Sequence, residues 1–91
     1  MSVLLVAEIQ DGALVKDAVA KALTAVAPLG PVTLLCAAAD AGAAADAGAG
    51  LDGVLKVLRV DDPAYAHSGP EALAALLKTL AGDYAVIAAA S

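Results

Sequence analysis

Apolar residues along the chain fall into four short runs separated by stretches of helical spacing. The first run, Ser2-Val3-Leu4-Leu5-Val6-Ala7-Glu8, is almost continuously apolar, as a strand buried on both faces of a parallel sheet would be. Asp11-Gly12 is a turn signal. From Leu14 to Ala27 the period changes: Val15, Val19, Ala22, Leu23 and Val26 share one helical face, while Lys16, Asp17, Lys21 and Thr24 lie largely off it. Pro28 and Leu29-Gly30-Pro31 stop that helix, because proline lacks the amide and restricts the residue before it. Val32 to Ala37 reads as a second buried strand.

Ala38 to Gly50 is a low-complexity stretch of Ala, Asp and Gly. Asp40 is placed to cap a short helix there, and Gly42 and Gly48 each weaken a helix by about 1 kcal/mol relative to alanine, so this is expected to be the loosest element. Gly53 ends the connection. Val54 to Val60 mixes apolar residues with Lys56 and Arg59, which predicts a strand at a sheet edge with one solvated face. An irregular polar segment, Asp61 to Gly69, leads to Pro70, a favoured first helical position, with Glu71 complementing the dipole. Leu73, Leu76, Leu77 and Leu80 form a stripe, Gly82 is a stop signal, and Tyr84 to Ala89 is a fourth, wholly apolar strand.

Strands alternating with helices predict an α/β fold: a Rossmann-like three-layer parallel sheet, four strands in order 3-2-1-4 with the first central. That order leaves the apolar fourth strand on an edge. A bare apolar edge invites pairing, so self-association through residues 84–89, or cover by further strands of the same domain, is expected.

Composition narrows the function more than the motifs do. A chain of 91 residues supports a single core, and although it is 62% hydrophobic, much of that is alanine, so Leu, Val and Ile must hold it. The net charge of −5, with Lys and Arg totalling five and scattered, argues against nucleic acid. No apolar run approaches the ~20 residues of a spanning helix, so membrane insertion is not expected. The amino-terminal residues also lack the pattern of a signal peptide, and the single Cys36 suits a reducing compartment; a cytoplasmic protein is expected.

Candidate chemistry is sparse. Gly48, Gly50 and Gly53 match a G-x-G-x-x-G spacing, but that fingerprint belongs between the first strand and first helix, and here it reads as a helix stop and turn. His67, near Asp61, Asp62 and Tyr65, would serve a metal or a general base, as in a small hydrolase, yet a solvated loop with Ser68 or Gly69 capping the next helix is the stronger reading. Cys36 reads as a small buried hydrophobe. Asp11 and Asp17 flank the first helix and suit its dipole, and the Leu73–Leu80 stripe reads as core before partner surface.

Four pieces taken in order resemble the amino-terminal domain of the alpha subunit of electron transfer flavoprotein: Val3-Leu4-Leu5-Val6-Ala7-Glu8 with Asp11-Gly12-Ala13-Leu14; Val32 to Cys36 with the alanine-rich helix; Gly53-Val54-Leu55-Lys56-Val57-Leu58 with Asp61, Asp62 and Tyr65; and Tyr84 to Ser91. The resemblance implies an adenine-nucleotide-hydrolase-like sheet in which residues 1–91 are a single, partial domain, since a family member would continue past Ser91. It also implies an alpha/beta heterodimer carrying one FAD, held chiefly by a carboxyl-terminal domain, with none expected bound to this chain. Such a complex carries electrons from acyl-CoA dehydrogenases, as in fatty acid beta-oxidation, to a membrane-bound quinone oxidoreductase. The amino-terminal domain would be scaffold and beta-subunit contact rather than enzyme. No catalytic, cofactor-binding or metal-ligating residue is carried over. The alternative is a small nucleotide-binding module resembling the universal stress proteins, which share the fold class.

Overall fold

A computed structural model describes residues 2–10, 12–62 and 70–89, with no description of the side chains of residues 70–73. Its sheet is parallel, in the order β5 (Val54–Asp61), β4 (Val32–Ala38), β1 (Val3–Val6), β6 (Val86–Ala89). This is the 3-2-1-4 order that the hydrophobic pattern predicts. β1 aligns Val3 with Val32 on one side and Val86 on the other, continuing to Val6 against Leu35 and Ala89.

Alternation along β1 divides the core in two. Val3 and Leu5 join Val32, Leu34 and Cys36 of β4 on the face covered by α1 (Lys16–Val26) and α2 (Gly42–Ala49). Leu4, Val6 and Leu35 face the other way, against Leu76, Leu77 and Leu80 of α3 (Pro70–Leu80) and Tyr84. Two covered faces make the three layers. The first run is thus buried on both sides, as its unbroken apolarity implies, and each fully buried Leu or Val contributes about 1.5–3 kcal/mol relative to exposure. Val19, Leu23 and Val26 are the buried face of α1, while Lys16, Asp17, Lys21 and Thr24 are exposed.

Three local expectations are corrected. The first helix begins at Lys16 rather than Leu14, because Leu14 pairs with Ile9 in an antiparallel hairpin of β2 (Ile9–Gln10) and β3 (Ala13–Leu14). Gly12 has φ +79°, the left-handed conformation that Asp-Gly hairpin turns require, and Val15 N–H donates to Glu8 O at 2.9 Å. Asp11 itself lies outside the described residues. Secondly, β5 has no single solvated face. A register shift between Val32/Thr33 pairs Val32 with Val54 but Thr33 with Lys56, so Leu55 is the extra residue and stands 74% exposed. After this bulge Val57 meets the core shared with α1 and α2, and Leu58 and Val60 meet the core under α3.

The third correction concerns α2. Its glycines weaken propensity, but Gly48 is buried against β4: a Cβ there would fall 2.5 Å from Leu34 Cδ2 and 3.8 Å from Cys36 Sγ. Gly48, with Ala44 and Ala45, lets the helix lie close on the sheet, so the small residues are the contact itself. Gly48→Ala is therefore expected to destabilise the chain by about 1 kcal/mol, because overpacking a fully buried Leu34 costs about 1–3 kcal/mol and the propensity gain returns only about 1. Urea unfolding midpoints test this, with Gly42→Ala as the comparison. There the added Cβ lies 3.1 Å from the Arg59 guanidinium and 3.3 Å from Asp40 Oδ1, the ends of exposed or half-exposed side chains that need shift only a few tenths of an ångström, so a smaller loss is expected.

Candidate functional site

In an open α/β sheet ligands collect beyond the carboxyl ends of the strands, at the point where strand order reverses. Here that point lies between β1, whose chain departs toward β4, and β6. The hairpin that follows β1 leans the other way, against β4 and α2, with Ala7 N–H donating to Leu35 O at 2.9 Å and Gln10 Nε2 donating to Glu8 Oε1 at 3.5 Å. Residues 63–69, which contain Tyr65, His67, Ser68 and Gly69, lie outside the described residues, so the proposed His67 loop is not placed.

Beyond the ends of β4 and β5 the polar groups are mutually satisfied. Asp61 Oδ1 accepts the Ala41 N–H at 2.6 Å while its Oδ2 accepts Arg59 Nε at 2.8 Å. Asp40 Oδ1 accepts the Gly42 N–H at 3.0 Å and lies 3.6 Å from Arg59 Nη2. The expectation that Asp40 caps α2 is thus half of the arrangement. Asp61, twenty residues beyond Ala41, supplies the other half, and no local pattern flags it because its partner amide is brought close only by the β4–β5 pairing. A helix amino terminus attracts anions when its amides are free. At α2 two carboxylates already hold the first two, those of Ala41 and Gly42, and set negative charge beside the helix start, which disfavours a phosphate.

The glycine series takes the places that its sequence context predicts: Gly48 within α2, Gly50 at its carboxyl cap, and Gly53, with φ +95°, in the turn before β5. Cys36 is fully buried beneath α2, and desolvation pushes its thiol up from its ordinary 9.0. It is therefore packing, not nucleophile. Asp17 lies in the first turn of α1 without a side-chain cap bond. Leu76, Leu77 and Leu80 are core, as the stripe predicts, whereas the side chain of Leu73 is not described. Among the described residues no three His, Cys, Asp or Glu side chains are grouped to hold a metal, and no helix is long and apolar enough to cross a membrane.

The remaining distinctive feature is the contrast between the two sheet edges. β5 carries a bulge, Lys56, Arg59 and Asp61. β6 is Val-Ile-Ala-Ala, without a charge or a bulge, and Ile87 is 39% exposed. Charged, kinked edges resist pairing and flat apolar ones accept it. Asp61→Ala, which takes an acceptor from both Ala41 N–H and Arg59, is expected to cost about 1 kcal/mol of stability, and Asp61→Asn less, since its amide oxygen still accepts from Ala41; chemical denaturation of the pair reads the difference. For Cys36 the sign follows from the raised folded pKa. The thiol contributes no pH dependence below 9.0; above it the unfolded chain ionises first and stability falls as pH rises toward the folded value. Cys36→Ala is expected to flatten that alkaline slope, and the native thiol to react with alkylating reagents only on unfolding.

A family model described as electron transfer flavoprotein domain matches residues 3–91. The electron transfer flavoprotein subunit alpha of Paracoccus denitrificans is 54% identical over 89 residues, which are 98% of this chain and 29% of that protein. The chain thus spans less than a third of the length of the curated relative it matches.

Proposed function

Because the chain belongs to the electron transfer flavoprotein domain family, we propose that it is the amino-terminal domain of an alpha subunit, acting as scaffold and as beta-subunit contact in an electron carrier. The observation that carries this reading is the 54% identity to a subunit alpha across 98% of the chain. The domain's own chemistry agrees with it. Asp40, Arg59 and Asp61 at the carboxyl edge of the sheet are engaged with one another and with backbone amides, the cysteine is buried, and the large apolar residues go into a sheet covered on both faces.

In this role the chain positions other parts of a flavoprotein and does not itself perform a reaction. FAD belongs to the alpha/beta heterodimer and is held by residues outside 1–91. The complex takes electrons from acyl-CoA dehydrogenases and passes them to a membrane-bound quinone oxidoreductase, in the cytoplasm. A chain of residues 1–91 mixed with the beta subunit is expected to co-elute with it in size-exclusion chromatography and to show no stoichiometric visible flavin absorbance. Retained flavin, or micromolar binding of ATP or AMP by calorimetry, would instead favour the nucleotide-binding alternative.

The bare edge of β6 fits a strand supplied from elsewhere, either from the continuing domain or from a second copy. When residues 1–91 are isolated, self-association through 84–89 is expected, and Ile87→Lys is expected to suppress it, because a charge on an edge strand opposes pairing. Light scattering over a concentration series measures this; equal masses for both chains, monomeric throughout, would sink the idea.

A further inference from the structure

No further inference is drawn: the strongest candidate, the apolar patch at the amino-terminal edge of the sheet where a shallow groove lined by Leu23, Pro28 and Leu51 is flanked in sequence by the exposed Leu29 and Leu55, has nothing in the structure to show what covers it.

Discussion

β1 has neighbours on both edges and helices over both faces, and the rest of the fold depends on that position. Its backbone groups are consumed by β4 and β6, and its side chains alternate into two separate cores. A polar side chain anywhere from Val3 to Val6 would be buried without water, at a cost of a few kcal/mol unless bonded. Four apolar residues in succession are the direct result. The strand also sets register for both neighbours, so the positions of Leu34, Leu35 and Cys36 relative to the helices follow from it.

The two faces are filled by different means. On the side of α3, few and large residues do the work, with leucines spaced along one helix meeting Leu4, Val6 and Leu35. On the side of α1 and α2, the first helix contributes Val19, Leu23 and Val26, but the second contributes almost no side chain at all. α2 achieves contact by closeness, with Gly48 against Leu34. Removing side-chain volume brings backbone near the sheet, and dispersion between close-packed atoms replaces the area that larger residues would bury. The helix is then tied at its start by Asp40 and Asp61, so its position depends on the strand pairing as much as on its own propensity.

At the carboxyl edge of β4 and β5, Arg59 balances the carboxylates of Asp40 and Asp61, and these accept from the amides of Gly42 and Ala41. The sheet edges differ: β5 is bulged and charged, β6 unbulged and apolar. A charged, bulged edge opposes pairing with another strand, and an apolar regular one does not.

Periodicity determined the four strands of the main sheet, the three helices between them and the core faces of α1 and α3, because burial on one or two faces imprints a period of 3.6 or an unbroken run on residues close in sequence, and the handedness of crossovers then gave the strand order with the first strand central. Family membership was likewise legible in the motifs from Val3 to Ser91. What only the tertiary structure decided lies where distant segments meet. Asp11-Gly12 marked a turn, but the hairpin that moves Leu14 out of the helix required Ile9 to pair with it. Gly48 looked like a weak point until Leu34 lay beneath it, and Asp61 looked like a loop residue until β5 carried it to Ala41. The bulge at Leu55 is a mismatch of two strands, and a mismatch belongs to neither strand alone.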